Sequence, residues 1–222
     1  MNSGLSSGFT GFSLVLDMAR RPQAELDVEK QKLIQIRHQI LDSWVLFEGD
    51  IADLYNCIVH PGAFSPYTIA IFRTIKSPEI KLQVLDAVVR AYADTLSGAD
   101  ELVRCWEQLY RKADKFRSLR NTLAHQKVAT LNTSAQSYVR SVDGVLLPEL
   151  AKMKIPFGYS VSDLDPLRLR YNYLKSHFWS LKWIILAQTE GRISPKELPL
   201  IFRALDKHLT EKWNQIFQYP PQ

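Results

Sequence analysis

Apolar residues recur at intervals of three and four along most of this chain, and that spacing constrains the fold more than any other feature. Leu33, Ile36, Ile40, Trp44, Phe47, Ile51, Leu54 and Ile58 draw one continuous stripe. Such a stripe is buried only when its helix is laid against other elements around a shared core. His60-Pro61-Gly62 ends the run. "SPEI", at 77–80, begins another, with Ser77 placed to cap and Pro78 suited to the first helical position. Its stripe is Leu82, Leu85, Val89, Tyr92 and Leu96. "SGAD", at 97–100, resembles a capping box for a third long helix, whose seam is Leu102, Trp106, Leu109, Ala113 and Phe116. A further helix is expected from Ser162 to Gln188, closed by Gly191. "SPKE", at 194–197, opens the last, along Leu198, Phe202, Leu205, Leu209, Trp213 and Ile216.

Residues 128–161 break this rhythm. Gly144, Pro148, Pro156 and Gly158 make them read as an irregular connection with at most one short helix. No alternating strand pattern and no internal repeat stands out. The expected class is an all-α bundle: a flexible arm over 1–24, the bundle over 25–190, and a C-terminal helical extension over 191–222 packed on it.

Several functions are set aside at this point. No apolar run approaches the ~20 residues that span a bilayer. The opening segment lacks the basic start of an export signal, and its apolar part is broken by Asp17. Two cysteines, Cys57 and Cys105, are no disulfide framework, so a reducing cytoplasm is expected. There is no Gly-rich phosphate loop, GxSxG elbow or HExxH, and Cys57, His60 and Cys105 fall short of the four ligands of a structural zinc. Neither a metal nor a cofactor is expected. His38, His177 and His208 stand alone on their helices and read as surface or boundary residues.

The charge is concentrated. Between Arg104 and Lys127 lie seven basic residues against Glu107 and Asp114, a surplus that equals the whole net charge of +5. A patch of this kind attracts phosphate backbones; it is also what a solvated helix face looks like. Placing Leu102 at zero and advancing about 100° per residue puts Trp106, Leu109, Ala113 and Phe116 within about 40° of zero. Arg120 then falls near 0°, the middle of the apolar face, where a guanidinium is expensive unless it is paired or lines a polar opening. Arg117, Asn121 and His125 climb one flank at about +60°, +100° and +140°. Arg120 and His125 are therefore poorly placed to share a ligand on one continuous helix. Either the helix ends before His125, or two copies of the protein assemble the site.

The run Arg120-Asn121-Thr122-Leu123-Ala124-His125 resembles the signature of HEPN domains (higher eukaryotes and prokaryotes nucleotide-binding): arginine, a polar residue, three variable residues, histidine. The resemblance implies a HEPN-like all-α bundle that dimerises with its motifs converging in a shared cleft. It further implies either a metal-independent endoribonuclease, as in toxin–antitoxin and phage-defence systems, or a member that only binds RNA, nucleotides or protein partners. In the first case His125 exchanges protons with the 2′-hydroxyl and the leaving oxygen, Arg120 holds the phosphate, and Asn121 orients one or the other. Arg117, Lys127, Lys112 and Lys115 would hold the RNA backbone without reading bases. The partners implied are RNA or a nucleotide, a second copy of the chain, and an antitoxin or nucleotidyltransferase-type protein. The motif covers six residues; the architecture, roughly 25–190.

Blander readings exist for the same residues. Arg120 could pair with a core-facing acid such as Asp50 or Asp53, and His125 could simply end its helix, where the dipole favours a cation. The segment "RLRYNYLKSHFWSLKW", 168–183, could stack unpaired bases on Tyr171, Tyr173, Trp179 and Trp183, but a helix feeding a core has the same composition, and core is the favoured expectation.

Overall fold

A computed structural model describes residues 21–96, 99–132, 137–143 and 158–217. Among them are six helices and one two-stranded sheet, in the order α1 (Gln23–Val59), α2 (Pro66–Thr74), α3 (Pro78–Ala93), α4 (Ala99–His125), β1 (Gln126–Asn132), β2 (Ser137–Asp143), α5 (Val161–Thr189) and α6 (Leu198–Phe217). The class is all-α, as the periodicity requires. None of these helices is long and apolar enough to cross a membrane. Residues 1–20, most of the expected arm, and Ser97 and Gly98 of the expected capping box lie outside the described residues.

Contacts divide the chain into two compact units: one of residues 1–37 and 125–164, the other of 38–124 and 165–222. The larger unit holds the aromatic core. Phe47 packs edge-on against Phe178 at 4.7 Å and against Tyr171 at 5.7 Å between ring centroids, and Trp106 meets Phe178 at 5.7 Å. Such edge-to-face pairs add to the burial of the rings themselves. The polar atoms of three core aromatics are satisfied: Trp44 donates to Glu48, Trp106 to Asp86, and the Tyr171 hydroxyl to the Ser43 carbonyl. The C-terminal α6 adds Leu198, Phe202 and Leu209 to this core.

The ends of α3 and α5 follow their sequence signals, whereas α6 begins at Leu198, after a turn over 195–197, and not at the cap expected at Ser194. Ser77 caps α3 by accepting from the Ile80 amide, and Gly191, at φ +71°, lets the Arg192 amide fold back onto the Ala187 carbonyl beyond α5. Glu197 accepts from both the amide and the hydroxyl of Ser194. At the start of α5, Ser160 and Asp163 bond reciprocally, Ser160 amide and hydroxyl to the Asp163 carboxylate and Asp163 amide to the Ser160 hydroxyl.

The smaller unit corrects the expectation of an irregular 128–161 over 128–132 and 137–143; residues 133–136 and 144–157, with Gly144, Pro148, Pro156 and the short helix expected there, lie outside the described residues. β1 and β2 pair antiparallel from Gln126↔Asp143 to Asn132↔Ser137, and Tyr159 extends the ladder through two bonds with Ser141. The alternation was absent for a physical reason. Val139 and Ser141 are buried on one face of β2, but so is Val142 on the other, and a strand covered on both sides has no period of two. Gly158 sits where only glycine fits: φ is +83°, and a Cβ would lie 2.3 Å from the Ser141 carbonyl oxygen.

Candidate functional site

Every residue of the expected α4 seam is buried: Leu102, Trp106, Leu109, Ala113 and Phe116. The helix does not stop early. It runs through His125, so the first of the two ways of joining Arg120 to His125 is closed. The unit boundary also falls between Ala124 and His125, leaving Arg120 and Asn121 with the larger unit and His125 with the smaller.

Arg120 is half-buried, and the next seam residue, Leu123, is wholly so. Among the described residues its hydrogen-bond partner is Asn121, whose Oδ1 accepts from Nη1 at 3.2 Å. The pairing with Asp50 or Asp53 does not form. Those carboxylates face α5, Asp50 at 4.0 Å from Lys175 and Asp53 at 3.4 Å from Lys182. His125 is exposed at the C-terminal end of α4.

The expected phosphate-holding residues separate into two kinds. Lys115 and Lys127 are exposed. Arg117 is committed to carboxylates, with Nε 2.8 Å from Asp114 and Nη1 3.5 Å from Glu79 on α3. Lys112 is half-buried and turned toward Gln108, 3.3 Å from its amide oxygen. Burial pushes its pKa below the usual lysine value, although Asp206 pulls the other way.

Sequence reasoning missed a polar cluster involving α4, α5 and α6. His177 is no boundary residue: it is 3% exposed, and Nδ1 donates to the Tyr173 carbonyl at 2.9 Å. Its Nε2 lies 3.3 Å from Nδ1 of His208, and the Tyr173 hydroxyl reaches both Nδ1 and the carbonyl of His208. Desolvation lowers the His177 pKa, opposed by its bond to the Tyr173 carbonyl and reinforced by His208 and Lys112. The clue in the sequence was positional, since His177 follows Leu174 and precedes Phe178 and Leu181 on the buried side of α5. Nearby, Oδ1 of Asp206 is buried with no hydrogen-bond partner among the described residues.

The aromatic stretch of α5 splits. Tyr171 is core and Tyr173 joins His208, but Trp179 and Trp183 are 52% and 43% exposed, packed edge-on against each other. Core is therefore wrong for the two tryptophans. Both cysteines are free and buried. Among the described residues no group of three or more His, Cys, Asp or Glu is placed to hold a metal ion. No family model, no curated protein and no solved structure matches this chain.

Proposed function

We propose that this protein is a HEPN-like RNA-binding protein, a homodimer that cleaves RNA without a metal. The observation that carries the reading is the half-buried guanidinium of Arg120, set in the apolar seam of α4 with no carboxylate within ion-pair distance among the described residues. Asn121 fixes its orientation. A cation in that position is costly unless something anionic visits it, and a phosphodiester matches its fork of donors.

One continuous helix separates Arg120 from His125, so the reading requires a dimer in which Arg120 of one copy works with His125 of the other. The exposed imidazole at the end of α4 is free to approach a substrate. It removes the proton of a 2′-hydroxyl, the 2′-oxygen attacks phosphorus, and the 5′-oxygen leaves with a proton from a second imidazole. The products are a 2′,3′-cyclic phosphate and a 5′-hydroxyl. Arg120 neutralises the charge that builds on the phosphoryl oxygens. Lys115 and Lys127 add sequence-independent attraction. The buried free thiols suit a reducing cytoplasm. A toxin of this kind needs an antitoxin, and a nucleotidyltransferase-type partner is the expected class.

A second reading is favoured by Arg117 and Lys112, which are turned to protein groups. In it the chain is a non-catalytic module that binds a protein or a nucleotide. Purified protein, Arg120→Ala and His125→Ala are compared on a labelled RNA, with light scattering for mass. Cleavage lost in both variants, by a dimer, supports the nuclease. Cleavage unchanged in either ends it. RNA binding without cleavage in any form leaves the module.

A further inference from the structure

The short helix α2 carries hydrocarbon on both of its faces. Thr68, Ile69 and Phe72 are buried on the inner one, where Phe72 stacks on Tyr55 at 4.4 Å between centroids. On the outer one Tyr67 and Ile71, a turn apart, are 81% and 68% exposed. Phe64, just ahead of the Ser65 cap, is 72% exposed. A helix that is apolar all round is ordinarily covered all round. Among the described residues, the outer face of α2 is left open. It is also held firmly. The Ser65 hydroxyl accepts from the Thr68 amide, and buried Asn56 bonds the Ser65 amide and the Ala63 carbonyl.

The charge around this ridge has one sign. From Leu54 to Pro78 the sequence contains no acid. Arg73 and Lys76 are exposed there, and neither enters an ion pair among the described residues. The acids that border the stretch are engaged, Asp53 at 3.4 Å from Lys182 and Glu79 at 3.5 Å from Arg117. Glu190, which lines the same open pocket as Phe64, is bonded to Arg192. Arg90 and Arg203, cations exposed elsewhere on this unit, do have carboxylate partners.

We propose that the outer face of α2, together with Phe64, docks on an anionic lipid surface. Phe64, Tyr67 and Ile71 enter at the level of the headgroups, and Arg73 and Lys76 pair with the headgroup anions. The three side chains offer roughly 500 Å², short of the ~800 Å² that each partner gives to a stable protein interface. A second copy seated on this face would set Arg73 and Lys76 against their own kind. Side chains that project this far need a deep matching groove in a protein, whereas a lipid interface yields around them. The contact is superficial, and it is independent of the nuclease reading.

The test is flotation of the intact protein with phosphatidylcholine vesicles, and with vesicles in which a third of the lipid is phosphatidylserine. The anionic vesicles are expected to take up the protein about tenfold more strongly. Arg73→Gln with Lys76→Gln removes most of that preference, while Arg104→Gln with Lys196→Gln, an equal loss of charge elsewhere on the larger unit, keeps it. Tyr67→Ser with Ile71→Ser weakens uptake about tenfold. All of these side chains are exposed, and an unchanged Tm in each variant confirms that the fold is intact. No uptake by anionic vesicles would overturn the proposal and leave the face to a protein. Uptake that survives both α2 variants, or that falls equally in the Arg104 and Lys196 variant, would also overturn it, as would RNA binding lost in the Arg73 and Lys76 variant with uptake unmoved.

Discussion

The imidazoles of His177 and His208 stack with centroids 5.4 Å apart, and the facing nitrogens, Nε2 of His177 and Nδ1 of His208, are separated by 3.3 Å. His177 must carry a proton on Nδ1 to serve the Tyr173 carbonyl, so the nitrogens facing each other share a single hydrogen in the neutral pair. A proton added to His177 goes on Nε2, the atom that faces His208, and is disfavoured by burial, by His208 and by Lys112.

This relationship makes stability depend on pH with a definite sign. The folded pKa of His177 is lowered from 6.5, chiefly by burial. The unfolded chain therefore takes up its proton first, and stability is lost as pH falls through 6.5 toward the lower folded value, levelling off beneath it. The loss is about 1.4 kcal/mol for each unit of separation. Urea midpoints between pH 7.5 and 5 measure it. His177→Leu is expected to be less stable at pH 7.5 and to flatten the slope. A slope unchanged by that substitution would assign the pH response to other groups.

Gly158→Ala tests the edge of the hairpin. An added methyl would meet the Ser141 carbonyl oxygen at 2.3 Å and Cγ1 of Val142 at 2.5 Å, on a backbone with φ +83°. Neither neighbour is the loose end of a long side chain. The expected cost is about 1–3 kcal/mol, with faster amide exchange at Ser141 and Tyr159, whose mutual bonds the strain opens. Wild-type exchange rates in the variant would show that the Tyr159 strand does not lean on β2.

The thiols offer a chemical readout. Burial pushes Cys57 up to about 11 and Cys105 up to about 12. Thiolate is the reactive species, so a disulfide reagent at pH 8 is expected to modify neither at an appreciable rate in the folded protein, and both at once in urea. Fast modification of Cys105 in the native state would contradict its placement in the core of α4.

What was legible in the sequence follows from how local each signal is. The stripe from Leu33 to Ile58, the Ser-Pro start at 77 and the glycine stop at 191 act within one or two turns, so α1, α3 and the end of α5 could be drawn from local signals, whereas the start read at 194 falls in a turn ahead of α6. The hairpin could not, because Val139, Ser141 and Val142 are buried on two faces and hide the period. Arg120 was legible as an intruder from its angle on α4. That it lacks an acid was not, since only the packing shows that Asp50 and Asp53 of α1 face Lys175 and Lys182 of α5. The His177–His208 contact joins residues 31 apart on different helices, and no local rule reports it.

Arg120→Leu separates a functional guanidinium from a structural one. The residue is half-buried on the seam that carries Phe116 and Leu123, and its hydrogen-bond partner among the described residues is the neutral amide of Asn121. If Arg120 were part of a buried ion pair, leucine would strand the opposite charge and cost about 3–5 kcal/mol. With no acid beside it, leucine extends the apolar seam, and the fold is expected to hold or gain about 0.5–2 kcal/mol in thermal or urea unfolding. On the proposed nuclease reading, RNA cleavage disappears in the same variant, and the log–log salt dependence of RNA binding falls by about one, the signature of one lost phosphate contact. A protein stabilised by the change and still able to cut RNA would remove Arg120 from the site. A protein that unfolds would return it to the architecture. The combination of greater stability and lost activity is expected, because a binding site holds a charge where the fold alone would place a hydrocarbon.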